Sequence, residues 1–205
     1  MLYFIVNQRS RSGKGAKIWR EAEQVLRQRH IPYRAWTTEY EGHARELAQK
    51  ICKRKDAQIS LVAVGGDGTA NEVINGITDF ARVRFGMIPT GSGNDLARGL
   101  GIQGGPAECL ERILACMEDG DNACVTIDLG QVSWEGGAKR RLFAISSGVG
   151  LDALVCKMAL KSRIKDFLNK IYLGKLTYVV LTVRALFTMK TSDAAVHFDG
   201  AHKRY

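Results

Sequence analysis

Apolar segments and stretches of helical periodicity alternate along the first part of this sequence. Between the apolar segments, apolar residues recur at the spacing of a helix, and they do so again around Leu110 and Leu114. Because strands that alternate with helices build parallel sheets with both faces covered, the sequence predicts an α/β fold, with a parallel sheet and helices on both faces. Four segments have the length and composition of strands: Leu2–Val6, Tyr33–Thr38, Ile59–Val64 and Phe85–Ile88.

The pattern changes after about Asp128. We expect one α/β domain over residues 1–128 and a second, β-rich domain carrying helices over 129–205. Because so few strands cannot close a sheet of their own, the second domain is expected to be incomplete. Its predicted elements are an antiparallel hairpin around EGGAK, two helices and one further strand: Gln131–Trp134 with Arg141–Ser146, then Leu151–Leu160, Leu176–Phe187 and Ala194–Phe198.

The charge balance indicates an anionic partner. The 205 residues carry 30 Lys and Arg against 21 Asp and Glu, a net charge of +9. Between Lys157 and Lys190 the only acid is Asp166, and a second basic group lies near the N-terminus. Each group is either a solvated helix face or a surface that meets nucleic acid or anionic lipid headgroups. Since no RNA-binding motif or recognition-helix pattern accompanies them, we expect no nucleic-acid partner.

The cysteines and the first residues bear on the compartment. Five cysteines, an odd number, show neither CxxC nor metal-ligand spacing, so we expect reduced thiols and no structural zinc. The apolar run Leu2–Val6 is too short for a signal sequence or a membrane span. These features predict a cytoplasmic protein.

Two glycine-rich turns each follow a predicted strand. The first contains Gly65, Gly66, Asp67 and Gly68, and the second lies in IPTGSGNDLARGLGI over residues 88–102. Glycines at the carboxyl ends of parallel strands let backbone N–H groups approach phosphate oxygens. The P-loop and GxGxxG patterns are both absent.

An aspartate inside a phosphate-binding turn is electrostatically unfavourable on its own. Asp67 would repel a phosphate unless a divalent cation lay between them, so the first turn favours a metal-bound nucleotide. A purely structural turn is the alternative. Asp95, in the second turn, is expected to cap the helix that follows it.

The two turns also carry a resemblance to a known family. GGDGTANEVINGI and IPTGSGNDLARGLGI resemble the catalytic domain of the diacylglycerol kinases, which include bacterial lipid kinases. That family is related to sphingosine kinases and, more distantly, to NAD kinases and phosphofructokinases. VNQRSRSGKG resembles its opening nucleotide loop, although Gln8 stands where proline is usual. TEYEGHA, TIDLG and FAISSGVGLDA resemble further segments, so the similarity extends over nearly the whole chain.

The resemblance implies a two-domain, NAD-kinase-like fold, with transfer of the γ-phosphoryl group of ATP to a diacylglycerol-like lipid hydroxyl. It implies that Asp67, Asp95 and Asp128 order Mg²⁺. For Asp128, a strand-end hydrogen bond is the alternative. The residues implied to bind the nucleotide are Asn7, Ser10, Thr38, Gly65, Gly66, Asp67, Gly68, Thr69, Asn71, Glu72, Thr90, Gly91, Ser92, Gly93 and Asn94.

The general base of such a kinase is not found in this sequence. The family supplies it from a late acidic residue, usually in an Asp-Gly-Glu setting, so we expect it beyond Tyr205 and expect little turnover from these 205 residues alone. Asp199-Gly200 is followed by Ala201 and is interpreted as a hairpin turn. No histidine has a partner at catalytic spacing.

Partners and alternative functions follow from the same features. We expect a lipid substrate, peripheral association with an anionic membrane through basic residues in 157–190, and a possible homodimer. One alternative is a nucleotide-binding regulator or membrane-associated module without turnover. Another is a kinase of a soluble substrate in the NAD kinase and phosphofructokinase superfamily, although the GSGNDLAR turn argues against an NAD kinase.

Overall fold

A parallel sheet of four strands, counted over the residues that the structure describes, forms the centre of the first part of the chain. This computed structural model describes residues 1–91, 93–118, 124–161, 174–189, 195–198 and 201–204. Strands and helices alternate as predicted up to the hairpin. The elements are β1 (Leu2–Val6), α1 (Ser10–Gln28), β2 (Tyr33–Thr37), α2 (His43–Cys52), β3 (Ile59–Gly65), α3 (Asp67–Gly76), β4 (Val83–Pro89), α4 (Asp95–Gly99), α5 (Pro106–Glu118), β5 (Gly130–Trp134) and β6 (Lys139–Phe143).

Both faces of the sheet are covered by helices, which confirms the predicted α/β architecture. Alternate residues of a strand point to opposite faces. Phe4 therefore packs with α1 and α5, through residues such as Leu26 and Leu110. Ile5 packs on the other face with α2 and α3, through residues such as Leu47 and Val73. Because both faces are buried at the centre of the sheet, β1 is apolar throughout and β3 nearly so, which makes these strands recognisable in the sequence. The edge strands β2 and β4 are less buried and contain Arg34 and Arg84.

The strand order places a topological switch point beside the first glycine turn. The order is β2-β1-β3-β4, and every neighbouring pair is parallel. The chain leaves β1 into α1 on one face and leaves β3 into α3 on the other face. The loops after these adjacent strands therefore diverge, and such a switch point is where ligands bind in open α/β sheets.

The β5–β6 hairpin packs against the first part of the chain. Leu129, Leu142 and Ala144 contact a buried cluster that includes Ile74 and Met87. The chain divides into two compact units, Met1–Ser146 and Ser147–Tyr205, so the hairpin belongs to the first. A domain boundary after residue 128, in the sense of the complete protein, stays a prediction.

The second unit contains two packed helices and a pair of short strands among its described residues. These are α6 (Leu151–Lys161), α7 (Gly174–Thr188), β7 (Ala195–Phe198) and β8 (Ala201–Arg204). Val155 and Ala159 of α6 pack with Leu181 and Ala185 of α7. No helix in the described ranges combines the length and apolarity that crossing a membrane requires.

Two predictions concern this second unit: a hairpin turn at Asp199-Gly200 and a basic surface in 157–190. Strands β7 and β8 pair antiparallel, with Phe198 opposite Ala201, while Asp199-Gly200 itself lies outside the described residues. Much of the predicted basic surface in 157–190 also lies outside them. Of its basic side chains, those of Lys157 and Arg184 are described, and both residues are exposed.

The close approach of α2 and α3 gives a test of the packing. A Cβ on Gly76 would collide with the Arg45 carbonyl oxygen and would lie 2.6 Å from Ala48 Cβ. Overpacking of this kind typically costs about 1–3 kcal/mol. We therefore expect Gly76→Ala to lower the free energy of unfolding by about that amount, as measured by urea denaturation.

Gly99→Ala is the matched control for Gly76→Ala. Gly99 also ends a helix, and no described atom lies within 4 Å of the position that its Cβ would take. Since alanine is the better helix former, Gly99→Ala should be as stable as the unmodified chain or slightly more stable. Equal unfolding free energies for the two variants would contradict the close approach of α2 and α3.

Candidate active site

Backbone hydrogen bonds continue past the strands and fix the loops at the carboxyl edge of the sheet. The Asn7 N–H donates to the Val64 carbonyl at 2.8 Å, and the Thr38 N–H donates to the Val6 carbonyl at 2.9 Å. The Thr90 N–H donates to the Gly65 carbonyl, also at 2.9 Å. The loops that follow β1, β2, β3 and β4 therefore all begin at this edge of the sheet before they diverge.

The two glycine turns touch through their backbones. A Cβ on Gly66 would lie 3.2 Å from the Gly91 Cα, and a Cβ on Gly91 would lie 2.9 Å from the Gly66 Cα. Glycine is needed on both sides because a side chain on either residue would separate the turns. Gly68 is exposed, with no described atom within 4 Å of its Cβ position, so the first turn is open to an approaching ligand.

Side-chain hydrogen bonds join the loop after β1 to both glycine turns. Asn7 Nδ2 donates to Thr69 Oγ1 at 3.1 Å, and the hydroxyls of Ser10 and Thr90 are 2.6 Å apart. Thr69 and Thr90 are both buried. The structure thus brings four of the predicted nucleotide-binding residues together around one edge of the sheet.

Asp67 links the first turn to the helix that follows the second. Its Oδ1 accepts the Leu96 N–H at 3.1 Å, and Leu96 is the second residue of α4. A carboxylate in this position accepts a hydrogen bond from an N–H group that has no partner within the helix. Its negative charge also interacts favourably with the positive N-terminal end of the helix dipole. Asp67 therefore caps α4 from a different loop.

The prediction that Asp95 caps α4 is wrong. The N-cap residue is Asn94, which has a left-handed backbone and makes no side-chain capping bond. Asp95 is the first residue inside the helix, and its carboxylate pairs with Arg98 one turn later. The helix therefore begins one residue earlier than predicted.

Two of the three predicted magnesium ligands lie close to the same point. The position of a Cβ on Gly93 would be 3.3 Å from Asp67 Oδ2 and 3.8 Å from Asp95 Oδ1. Asp128 is exposed, and the described residues contain no group of three or more His, Cys, Asp or Glu side chains that could hold a metal ion. The structure thus places Asp67 and Asp95 beside Gly93 without joining Asp128 to them in such a group.

Asn94 has a buried hydrogen-bond acceptor beside the second turn. Its Nδ2 donates to the Gly91 carbonyl at 3.0 Å, whereas its Oδ1 is buried and has no partner among the described residues. Buried polar atoms are usually satisfied, so an acceptor of this kind fits a site where a ligand or its bound water supplies a donor. Ser92, which was also predicted to bind the nucleotide, lies outside the described residues.

Asn71 and Glu72 use their side chains to hold neighbouring segments. Glu72 accepts the N–H groups of Gly42 and Ala44 at 3.0 and 3.2 Å and so caps α2. Asn71 Nδ2 donates to the Leu142 carbonyl at 3.0 Å. These bonds show what the two side chains hold within the protein, and a contact with nucleotide stays a prediction for both.

The loop after β2 contains an aromatic pair that sequence reasoning missed. Tyr40 stacks on His43 with ring centroids 4.6 Å apart and an angle of 3° between the planes. The Glu39 N–H donates to His43 Nδ1, and Tyr40 donates its hydroxyl proton to Glu46 Oε2. This bond to a carboxylate raises the pKa of Tyr40. The half-buried Thr38 directly precedes this turn. The i, i+3 spacing of Tyr40 and His43 was the signal in the sequence from which the stacked pair could have been predicted.

Comparison with known proteins assigns the family. Residues 1–131 match the diacylglycerol kinase catalytic domain, which confirms the resemblance seen in the two glycine turns. The matched segment contains the whole parallel sheet and the loops at its carboxyl edge. The chain belongs to the diacylglycerol kinase catalytic domain family.

Individual relatives agree with this assignment. The chain is 28% identical over 190 residues to "Putative lipid kinase YtlR" of Bacillus subtilis strain 168, with 92% of this chain and 60% of that protein covered. It is 31% identical over 141 residues to a diacylglycerol kinase of the same strain, with 68% and 41% covered. The chain thus spans about 60% or less of the length of these curated relatives.

A solved structure shows that the fold is shared. The crystal structure of a "putative diacylglycerol kinase" from Bacillus anthracis strain Sterne aligns with 99% of this chain and 62% of its own. The TM-score is 0.66 at 23% sequence identity. The fold of this chain is therefore shared with that crystal structure.

Proposed function

We propose that this chain is the nucleotide-binding part of an ATP- and Mg²⁺-dependent lipid kinase. One observation supports the proposal most strongly: two glycine turns are in backbone contact at the carboxyl ends of the neighbouring strands β3 and β4. Such turns offer several N–H groups to phosphate oxygens, and the first also opens α3, whose positive end favours an anion.

The residues around the turns have distinct proposed roles. Backbone N–H groups of Gly65–Thr69 and Gly91–Asn94 hold the phosphates, and Asn7, Ser10 and Thr38 line the nucleotide. Mg²⁺ is held by Asp67 and Asp95, which lie beside Gly93. Asp128 is proposed as a third ligand from the family resemblance. When bound, the cation neutralises phosphate charge, which is the main requirement of phosphoryl transfer.

The lipid substrate is proposed from the family and from the second unit. The relatives are named as lipid kinases and diacylglycerol kinases. On α7, Val183, Leu186 and Phe187 are exposed apolar residues, and Arg184 lies among them. Apolar and basic side chains on one helix suit a surface that meets anionic lipid. We propose a cytoplasmic protein that associates peripherally with the membrane, with its general base outside these 205 residues.

A substrate competition experiment tests this function. The complete gene product is incubated with labelled ATP, Mg²⁺, vesicles containing diacylglycerol or a sphingoid base, and soluble NAD and sugars. We expect label in lipid, and we expect the 205-residue chain to bind ATP but to transfer little phosphate. Label confined to NAD or a sugar would reject the lipid kinase proposal. Vigorous lipid phosphorylation by the 205-residue chain would reject the proposed location of the general base.

A further inference from the structure

Asn75, on α3, forms a pair of hydrogen bonds with the backbone of one residue in β6. The Leu142 N–H donates to Asn75 Oδ1 at 2.8 Å, and Asn75 Nδ2 donates to the Leu142 carbonyl at 2.9 Å. A neighbouring strand in a sheet satisfies backbone N–H and C=O groups in a similar way. Here a side-chain amide takes the place of that strand.

The hairpin depends on contacts of this kind. Strands β5 and β6 form a two-stranded sheet in the described residues, and an isolated two-stranded hairpin is marginally stable in water. Asn71 adds a second donor to the Leu142 carbonyl and accepts the Arg141 Nε–H at 3.0 Å. Asn75 Nδ2 also donates to the Asn71 carbonyl at 2.8 Å. One face of α3 thus fixes the register of β6.

The same helix begins in the first glycine turn. Thr69, in its first turn, accepts the hydrogen bond from Asn7, and Asn75 lies six residues later, about 9 Å along the helix axis. We propose that Asn75 is a positioning residue that couples the phosphate-binding turn to β6, the strand through which the chain leaves the first unit. This coupling rests on the proposed function, since it assumes that a nucleotide binds at the turn.

If Asn75 were only a surface residue, the substitution Asn75→Ala would change the stability in the opposite direction from the one that we expect. Alanine is a better helix former than asparagine by several tenths of a kcal/mol. If the contacts with Leu142 contributed nothing, Asn75→Ala would stabilise the chain. If they hold β6, the same change should lower the melting temperature and expose the Leu142 amide.

Hydrogen exchange without nucleotide tests the attachment. The variants are Asn75→Ala, the equally sized Asn75→Asp, which replaces the donor to the Leu142 carbonyl by an oxygen, and the control Ser133→Ala at an exposed position of β5. We expect the Leu142 amide to exchange at least about tenfold faster in Asn75→Ala, which loses its acceptor, and at the wild-type rate in the control. Asn75→Asp keeps this acceptor but sets a carboxylate oxygen against the Leu142 carbonyl, so its exchange should lie between the wild-type and Asn75→Ala rates. Exchange at the wild-type rate in Asn75→Ala, or a raised melting temperature, would overturn the proposal.

Adding ATP and Mg²⁺ tests the coupling. In the wild type, binding should slow exchange at residues 65–69 and also in β6, whereas in Asn75→Ala it should slow exchange at 65–69 only. Equal slowing of β6 in both proteins would overturn the coupling. If nucleotide slows exchange in neither protein, the proposed nucleotide site and the coupling both fail, while the experiment without nucleotide still decides whether Asn75 holds β6.

Discussion

Asp67→Asn is expected to lower phosphoryl transfer by on the order of a hundredfold or more while the chain stays folded. Asparagine keeps an oxygen that can accept the Leu96 N–H, so the cap on α4 survives. It removes the negative charge from the atom that faces Gly93 beside Asp95, where we place the cation. The rate of labelled phosphate transfer to lipid vesicles, together with the melting temperature, measures the two effects separately.

Asp79→Asn is the matched control for this change. Asp79 also accepts a backbone N–H, that of Ala81 at 3.1 Å, but it precedes β4 at the opposite edge of the sheet. Transfer by the Asp79 variant should equal that of the wild type. If Asp67→Asn keeps full activity, Asp67 is only a structural cap. If it loses activity but still binds vesicles, a mere membrane tether is excluded.

Gly91→Ala is expected to weaken nucleotide binding by about tenfold or more and to lower stability by about 1–3 kcal/mol. The added Cβ would lie 2.7 Å from Asn94 Oδ1 and 2.9 Å from the Gly66 Cα, so both turns must move apart. The phosphate-binding N–H groups of the two turns would then no longer face one ligand. Calorimetric titration with ATP and Mg²⁺ measures the affinity.

Gly99→Ala again serves as the comparison, because it adds the same methyl group where no described atom is near. It should bind ATP as the wild type does. An unchanged affinity in Gly91→Ala would show that the contact between the turns is unimportant for the nucleotide.

The sequence was sufficient to predict the four strands of the parallel sheet, the helices that cover it and the two turns, whereas β8 was not predicted. Strands such as β1 are apolar throughout because both faces of the sheet are covered, and glycines mark the turns because backbones meet there. These signals are local, so they can be recognised without knowing which segments are neighbours in space.

The partners of the polar side chains could not be predicted in this way. Asp67 caps a helix that begins 28 residues later, and Asn75 pairs with Leu142, 67 residues away. Which backbone N–H lacks a partner depends on where each helix starts, and α4 begins one position earlier than the sequence predicted, with Asn94 as its N-cap. The i, i+4 spacing of Asn71 and Asn75 showed only that they share one face of a helix.

Asp67 among glycines therefore combines two properties in one side chain. One carboxylate oxygen connects the two turns through the Leu96 N–H, and the other is directed toward Gly93. From the sequence alone, only the charge of this residue could be considered. The structure adds a reason for an oxygen acceptor at this position that holds with or without a cation.

A crystal structure of the chain with a non-hydrolysable ATP analogue and Mg²⁺ tests the central claim most directly. We predict phosphate oxygens within hydrogen-bond distance of N–H groups in both glycine turns, with the cation between those oxygens and Asp67. A nucleotide bound elsewhere, or turns that stay unliganded at saturating analogue, would contradict the account.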